Sequence, residues 1–241
     1  MLIDTLHQEA HVWSCIPESV QGDTTLHRLK SLLSDEELDQ HRRFHFPADS
    51  HRYLVSHALV RRALSSYIDI PPSDWHFSRN EHGRPEIANP GLPPLRFNLT
   101  HTDGLACCLV TLVDDCGIDA EKIRDRHNPV AIAARMFSPA EHAGLLQLQG
   151  KEQLEDFFRR WTLREAYVKA RGIGLSLPTR KLHFQIRNTG AIEVGFDDSI
   201  DDDGDNWMFQ LWQSGPEHIV ATAIARRPGL IKKLLVRPLQ P

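Results

Sequence analysis

The stretch GIDAEKI, residues 117–123, places two carboxylates two positions apart, shortly after the apolar run LACCLVTLV. On a strand, residues i and i+2 point to the same face, so Asp119 and Glu121 share one. Like charges on one face repel each other unless a cation or a basic group lies between them. The spacing fits either a solvated strand face or a carboxylate pair that holds a metal ion. The flanking Ile118 and Ile123 favour the second interpretation.

A third carboxylate lies in KEQLEDFFRRWTLREAYVKARG, residues 151–172, the segment with the strongest helical pattern of the chain. Glu165 follows Trp161 by four positions and therefore lies on the apolar face of the predicted helix. An inward carboxylate needs a partner, because unpaired burial of a charge is costly. Lys169 is one turn further on, although an ordinary Glu–Lys pair at this spacing stabilises a helix by only about 0.2–0.5 kcal/mol.

Three carboxylates from two elements suit Mg²⁺, which takes oxygen ligands and usually keeps positions for water or phosphate oxygens. With Lys169 nearby, the set indicates a metal-bound phosphate ester or anhydride. Further polar groups could complete an anion site: Arg84 follows the turn glycine of EHGRPEI, and Thr100 and His101 end the segment LRFNLTH. Each of these signals, taken alone, is more often structural.

The order of these segments resembles the Sfp-type 4′-phosphopantetheinyl transferases. HGRPEI, FNLTHTDG, GIDAEKI, FSPAEH and FFRRWTLREAYVKARGIGLSLP follow one another within a region from about Arg42 to Pro178. The tandem G-[IV]-D-x-E and W-[ST]-x-[KR]-E-[AS]-x-x-K elements carry most of the specificity. The resemblance implies an α+β fold in which one chain forms a pseudo-dimer of two similar halves, residues 1–114 and 115–241, with coenzyme A in the cleft between them.

The resemblance also implies an activity. The protein would transfer the 4′-phosphopantetheine arm of coenzyme A to a serine of an apo acyl or peptidyl carrier protein, with Mg²⁺, and release adenosine 3′,5′-bisphosphate. By motif, Asp119, Glu121 and Glu165 would bind Mg²⁺ with the coenzyme's pyrophosphate, and Lys169 would offset charge on the leaving phosphate. Glu165 is the better candidate for the base that activates the serine. The identity of that base, and whether Glu121 binds the metal directly or through water, stay open.

The first half would supply the contacts to the coenzyme's phosphates, and the second half the magnesium and catalytic motifs. Thr100 and His101 would bind the 3′-phosphate, and Arg84 would contact the phosphates after the turn glycine. Gln40 stands where the family often has a basic residue. Arg42 or Arg43 would compensate for it, Arg42 being the candidate for the phosphate contact, and which of them does so stays open. Which carrier protein is the physiological partner cannot be read from these residues.

Two other functions would use the same residues. A Mg²⁺-dependent nucleotide phosphohydrolase would release product from coenzyme A without any carrier protein. A non-catalytic coenzyme A-binding protein would be expected to have lost an acid or Lys169, and the chain retains all of them.

Composition excludes some partners. The 241-residue chain has a net charge of −4 and 41% hydrophobic residues, as is typical of a globular protein with a sizeable core. Its charge does not favour nucleic acid or an anionic membrane, and no apolar run approaches the roughly 20 residues of a membrane helix. The first residues lack the basic start of a signal peptide. These features predict a cytoplasmic protein, and the resemblance implies a pseudo-dimeric monomer.

Caps and turns predict the elements that must position these residues. Helices are expected over 33–44, 49–67, 137–148 and 151–172. Ser34 is the predicted N-cap of the first of these helices, and Ser138 is the predicted N-cap of the third. Asp103-Gly104 predicts a hairpin over 95–113. A helix precedes a hairpin in each half of the chain. A duplicated α+β unit would produce this repeated order of elements.

Two further segments carry predictions. The acidic run 197–205 indicates a solvated hairpin tip, because runs of like charge usually stay in water. Met136, Phe137 and Leu145 are candidates for a carrier-binding face, with burial in the core as the open alternative.

Overall fold

The computed structural model describes residues 2–124, 128–174, 177–227 and 229–241. Its helices are α1 (Leu2–Thr5), α2 (Asp23–Lys30), α3 (Asp35–Arg43), α4 (Pro47–Ser65), α5 (Pro129–Met136), α6 (Pro139–Leu145) and α7 (Gly150–Arg171). Its strands are β1 (Glu9–Cys15), β2 (Phe77–Arg79), β3 (Pro85–Ile87), β4 (Leu95–Thr102), β5 (Leu105–Leu112), β6 (Cys116–Lys122), β7 (Leu182–Ile186), β8 (Ile192–Phe196), β9 (Trp207–Ser214), β10 (His218–Ala225) and β11 (Lys233–Pro238). In these described residues, no helix is both long and apolar enough to cross a membrane.

The chain divides into two compact units. Unit 1 comprises Met1–Asp115 and Gly229–Pro241, and unit 2 comprises Cys116–Pro228. The sheet of unit 1 has the strand order β11-β1-β5-β4, and α4 packs on it. The sheet of unit 2 has the order β6-β10-β9, and α7 packs on β6 and β10. The hairpins β2–β3 and β7–β8 form separate two-stranded ladders.

The two units repeat one topology. In unit 1, the strand β1 is followed by α4, the hairpin β2–β3 and then β4–β5, and β1 pairs antiparallel with β5. In unit 2, β6 is followed by α7, the hairpin β7–β8 and then β9–β10, and β6 pairs antiparallel with β10. The orders β1-β5-β4 and β6-β10-β9 are therefore equivalent. The predicted α+β fold of two similar halves is confirmed.

The closing segment of the chain differs from its predicted assignment. The sequence analysis placed all of 115–241 in the second half, but β11 pairs in parallel with β1, from Glu9↔Lys233 to Ser14↔Pro238. Residues 229–241 therefore belong to unit 1. Lys232 reinforces this placement, because its buried ammonium lies 2.7 Å from the carboxylate of Asp114 and donates to the carbonyl of Leu6.

The local signals of the sequence form the predicted caps and turns. Ser34 and Glu37 make a capping box at the start of α3, and Ser138 and Glu141 make another at the start of α6. The hairpin β4–β5 turns at Asp103-Gly104, so that Thr102 pairs with Leu105. These contacts fix the helices and the hairpin whose ends carry the candidate site residues.

Small residues bring α7 unusually close to β6. A Cβ atom built on Gly117 would lie 2.0 Å from the carbonyl oxygen of Ala166 and 2.4 Å from the backbone nitrogen of Ala170. On the same sheet face, Gly117 pairs with Ala223 and Asp119 pairs with Ala221. The absence of larger side chains on both surfaces lets the helix backbone rest on the strand. This approach places the next helix positions beside the acids of β6.

Candidate active site

The four side chains singled out in unit 2 lie on these two packed elements. Gly117, Asp119 and Glu121 alternate along β6 and therefore share the face that α7 covers. Glu165 and Lys169 are one turn apart on α7, each adjacent in sequence to one of the alanines that contact Gly117. The structure thus brings together the carboxylates and the lysine predicted from the two motifs.

Lys169 is bound to the strand rather than to its helix neighbour. Its ammonium donates to the Asp119 carboxylate at 2.7 Å and to the carbonyl of Ile118 at 3.1 Å. Asp119 is 6% exposed, so this contact offsets a charge that is largely removed from water. Among the described residues, no ion pair joins Lys169 to Glu165. The interpretation as an ordinary i,i+4 pair is therefore wrong.

Trp161 contributes a hydrogen bond that the sequence analysis missed. Its indole Nε1 donates to the Glu121 carboxylate at 3.0 Å, while its ring stacks on Phe157. The sequence analysis used Trp161 only as a marker of the apolar helix face. An indole N–H in a helix that packs on an acidic strand is a signal that could have assigned it, because a buried N–H needs an acceptor.

Glu165 is the carboxylate whose protonation the site alters most clearly. Burial raises the pKa of Glu165, the negative charge of Asp119 raises it further, Lys169 opposes the change, and Glu121 adds to it. The balance of these effects is a raised pKa of Glu165. A carboxyl group with a raised pKa is better suited to exchange a proton near neutral pH than an exposed one.

The donor set has the chemistry of a site for a hard divalent cation. Asp119, Glu121 and Glu165 offer only oxygen atoms, and with Lys169 they carry two net negative charges when ionised. In the part of the chain that the structure describes, no group of three or more His, Cys, Asp or Glu side chains is arranged as a metal site. Asp119 accepts from Lys169 and Glu121 accepts from Trp161.

Arg164 precedes Glu165 in the motif, but its side chain makes structural contacts with α6 and β7. Its guanidinium is 1% exposed, pairs with the Glu141 carboxylate and donates to the carbonyl of Leu182. It also lies over the ring of Phe137. Burial lowers the pKa of Arg164 to about 10, against the opposing effect of Glu141. Arg164 therefore fastens α7 to α6 and to β7.

Unit 1 contains the four residues predicted to contact the coenzyme's phosphates from the first half of the chain, and their exposure differs. They are Arg42, Arg84, Thr100 and His101. Arg84 follows Gly83, which has a φ of 85°, and its side chain is 9% exposed and 3.5 Å from Asp115. Thr100 and His101 are consecutive on β4 and point to opposite faces, the first buried and the second exposed.

Arg42 is exposed, like His101. Its side chain is 67% exposed and pairs with Asp39 one turn earlier in α3. Gln40, the uncharged residue at a position where the family often has a basic one, is exposed as well. The contact between Arg42 and a phosphate stays a prediction.

Unit 1 also contains a cavity of about 830 Å³ that no sequence motif indicated. It is lined by α3, by α4 and by the segments around β2 and β4, including Glu37, His57, Trp75, Arg79, Phe97 and Asn98. Its volume lies within the range of roughly 300–1,000 Å³ that is typical of small-molecule sites. The mixture of aromatic and polar walls is suited to a ligand with a ring and hydrogen-bonding groups.

Two other predictions are corrected by burial. Phe137 and Leu145 are fully buried in a core cluster with Phe157 and Phe158, so they cannot form a binding face. The acidic run 197–205 is not solvated throughout, because the side chain of Asp202 is only 8% exposed and accepts several hydrogen bonds.

Comparisons with known proteins place both halves of the chain in one family. The sequence profile described as "4′-phosphopantetheinyl transferase superfamily" matches residues 115–223, and that described as "4′-phosphopantetheinyl transferase, N-terminal" matches residues 21–111. Profiles of the family that the motifs indicated thus match both halves of the chain.

Two curated relatives support the same class. The 4′-phosphopantetheinyl transferase Sfp of Bacillus subtilis (strain 168) is 34% identical over 174 residues, which cover 71% of this chain and 75% of the relative. The 4′-phosphopantetheinyl transferase HetI of Nostoc sp. is 34% identical over 175 residues, covering 71% and 72%. A crystal structure of Thermotoga maritima holo-[acyl-carrier-protein] synthase matches 47% of this chain and 63% of its own, at 21% identity and a TM-score of 0.38. The chain belongs to the 4′-phosphopantetheinyl transferase superfamily, and the predicted enzyme class is confirmed.

Proposed function

We propose that this protein transfers the 4′-phosphopantetheine arm of coenzyme A to a serine of an apo acyl or peptidyl carrier protein, in a Mg²⁺-dependent reaction. Adenosine 3′,5′-bisphosphate is the second product. The observation that carries the proposal is the cluster of Asp119, Glu121, Glu165 and Lys169 on β6 and α7, in a chain of this family. The relatives named as 4′-phosphopantetheinyl transferases support the same reaction.

The reaction forms one bond to phosphorus and breaks another. The serine oxygen of the carrier attacks the phosphorus that bears the pantetheine arm, and the bond from that phosphorus to the bridging pyrophosphate oxygen breaks. The serine proton passes to Glu165, whose raised pKa suits a general base. Lys169 offsets the negative charge that develops on the leaving phosphate.

Asp119, Glu121 and Glu165 are the residues that would hold Mg²⁺, since their oxygen donors suit that ion. Burial and then the charges of Asp119 and Glu121 raise the pKa of Glu165, and a cation would relieve that repulsion. When bound, the ion supplies Lewis-acid stabilisation of the charge on the phosphate oxygens. The hydrogen bond from Trp161 orients the Glu121 carboxylate within this set.

Unit 1 would bind the nucleotide portion of coenzyme A. Arg84 is positioned after the Gly83 turn, and the neighbouring Pro85 lines the 830 Å³ cavity. The phosphate contacts of Arg84, Thr100, His101 and Arg42 are part of this proposal. The exposed imidazole of His101 is the more accessible of the two consecutive β4 residues.

The direct test is to weigh the carrier protein after incubation. The purified enzyme is incubated with coenzyme A, Mg²⁺ and apo carriers of fatty-acid, polyketide and nonribosomal peptide synthases. We expect one phosphopantetheine unit to be added to at least one class of carrier, with loss of transfer in EDTA and recovery on adding Mg²⁺. No mass gain with any of these carriers would contradict the proposed function.

Variants on β6 and α7 assign the roles. Glu165→Gln and Asp119→Asn should each reduce transfer by at least about 100-fold, as expected when a group that acts in the transition state is removed. Glu155→Gln changes the same helix at a residue that pairs with Lys151, outside this cluster, and should transfer at the normal rate. A near-normal rate in Glu165→Gln would remove Glu165 from the mechanism.

The phosphohydrolase alternative is separated by omitting the carrier. A transferase should release adenosine 3′,5′-bisphosphate in proportion to the apo carrier supplied, whereas a phosphohydrolase should release product from coenzyme A alone.

A further inference from the structure

One acid of the acidic run, Asp202, has a side chain that is only 8% exposed. The Asp202 side chain accepts hydrogen bonds from the Tyr167 hydroxyl at 2.5 Å and from the Trp207 indole at 2.9 Å, and it pairs with Arg171. Arg171 also donates to the Tyr167 hydroxyl at 2.9 Å. The neighbouring Asp201 is exposed. Asp202 therefore joins the acidic segment to α7 and to β9.

The contacts of Asp202 favour its ionised form. Burial alone would raise the pKa of Asp202, but hydrogen bonds from Tyr167, from the backbone N–H of Asp203 and from Trp207, together with the charge of Arg171, lower it. Charge-assisted hydrogen bonds of this kind are roughly twice as strong as neutral ones. The contact is therefore a firm attachment point for the end of α7.

This attachment acts on the helix turn that carries the lysine of the candidate active site. Tyr167 and Arg171 are four residues apart and share one side of α7. Lys169 is two residues from each, roughly 200° around the helix, and binds Asp119 on β6. The last two turns of α7 are thus held from opposite sides, by Asp202 and by Asp119.

We propose that Asp202 is a positioning residue for the transfer reaction, which fixes the rotation of the last turns of α7 so that Glu165 and Lys169 face β6. This inference rests on the proposed function. A rotation of about 20° at the helix radius of about 2.3 Å moves a Cα atom by about 0.8 Å. A displacement of about 1 Å in a catalytic group can reduce the rate by roughly 100-fold.

The test compares two substitutions in the same acidic segment. Asp202→Asn removes the charge that binds Arg171, and Asp201→Asn makes the same change at the exposed neighbour. We expect kcat for carrier modification to fall by about 10-fold in Asp202→Asn, with KM for coenzyme A within about 2-fold of normal, because Asp202 is not assigned a contact to substrate. Asp201→Asn should be unchanged in both.

Hydrogen exchange supplies a second measurement that does not depend on activity. Amides in residues 166–172 should exchange faster in Asp202→Asn than in the unmodified protein, whereas amides at the start of α7, in residues 154–160, should be unchanged. Tyr167→Phe removes one donor and keeps the ring, and should give a smaller effect of about 3-fold on kcat. It also serves as the second variant if Asp202→Asn does not fold.

The outcomes separate this inference from the proposed function. If the unmodified protein transfers the arm and Asp202→Asn has a normal kcat, Asp202 is not a positioning residue. A fall in kcat with unchanged exchange in residues 166–172, or a rise in KM that equals the loss in rate, would also overturn the role. An unmodified protein that modifies no carrier would overturn the proposed function, and this role with it.

Discussion

Trp161 shows how one side chain can support both packing and chemistry. Its ring stacks on Phe157 with centroids 6.0 Å apart, and its N–H holds the Glu121 carboxylate. Hydrogen bonds to a charged group contribute about 1.5–3 kcal/mol. Without this donor, the Glu121 carboxylate would lose one of the contacts that orient it towards the proposed metal site.

The substitution Trp161→Phe tests this role. It keeps an aromatic ring for stacking and removes the N–H, so we expect transfer to slow by about 10-fold and the Mg²⁺ concentration for half-maximal rate to rise. Initial rates over a Mg²⁺ titration would measure both. Trp212→Phe, on β9, is the matched control and should behave normally. An unaltered Mg²⁺ titration in Trp161→Phe would show that the indole does not order the metal ligands.

At the scale of elements, the close approach of α7 to β6 determines which groups meet. A larger residue at position 117 cannot be accommodated by a side-chain movement, because the nearest atoms, at 2.0 and 2.4 Å from the added Cβ, belong to the helix backbone. The helix would have to move away from the strand. The contact between Lys169 and Asp119 crosses this same interface and would be lost with it.

Gly117→Ala is therefore expected to be more harmful than its single added methyl group suggests. Overpacking of this kind typically costs about 1–3 kcal/mol, and backbone contacts place Gly117 at the upper end. We expect a loss of about 3 kcal/mol in the free energy of unfolding by urea, and less than about 1% of normal transfer.

Gly144→Ala provides the control for that experiment. Gly144 lies within α6, and nothing lies within 4 Å of an added Cβ. Alanine in a helix interior is favoured over glycine by about 1 kcal/mol. The control should thus be slightly stabilised and fully active. Equal stability of the two variants would mean that α7 adjusts to the added methyl group at little cost.

The sequence predicted those features that short segments determine. The capping boxes at Ser34 and Ser138 and the turn at Asp103-Gly104 depend on neighbouring residues only. The acids and lysine of the candidate site were found because two motifs carry them. Trp161 and Asp202 were assigned less accurately, because their roles depend on acceptors and donors that are distant in the chain.

Long-range pairing was beyond the reach of local patterns. The strands β1 and β11 are separated by more than 200 residues and pair in parallel. No turn signal connects such strands, since parallel pairing requires a crossover rather than a hairpin. The sequence KLLVRP ends in a proline, which weakens its strand pattern. Its membership of unit 1 becomes clear only from the register with β1.

At the scale of the whole molecule, the buried charges of unit 1 should make its stability depend on pH. Burial alone would raise the pKa of Glu37, but hydrogen bonds from His57 and the Ser34 N–H and the charge of Arg61 lower it to about 2. Because the pKa in the folded state is below the usual 4.5, the stabilisation is complete above about pH 4.5. It is lost as the pH falls toward 2.

Glu37→Gln measures this contribution. The shift corresponds to about 3 kcal/mol at neutral pH, and the difference from the unmodified protein should shrink steadily below pH 4.5. Urea unfolding between pH 7 and pH 3 would follow it. Glu36→Gln changes the exposed neighbour and should differ by less than about 0.5 kcal/mol at every pH. A difference for Glu37→Gln that does not vary with pH would exclude its carboxylate as the source.

The closing strand depends on a second buried charge pair. Lys232 is 6% exposed and lies 2.7 Å from Asp114, which is the residue next to the end of the first segment of unit 1. Removing one member of a buried ion pair typically costs about 3–5 kcal/mol, because the other charge loses its compensation. An exposed pair such as Arg96–Glu86 contributes about 0–1 kcal/mol.

Lys232→Met should therefore reduce the free energy of unfolding by about 3 kcal/mol, and Arg96→Met by less than about 1 kcal/mol. The double variant Lys232→Met/Asp114→Asn separates pairing from packing. If the ammonium acts by compensating the buried carboxylate, the double variant should lose less than the sum of the two single losses, by at least about 1 kcal/mol. Additive losses would instead indicate that Lys232 fastens the tail through its hydrogen bond to Leu6 and its packing alone.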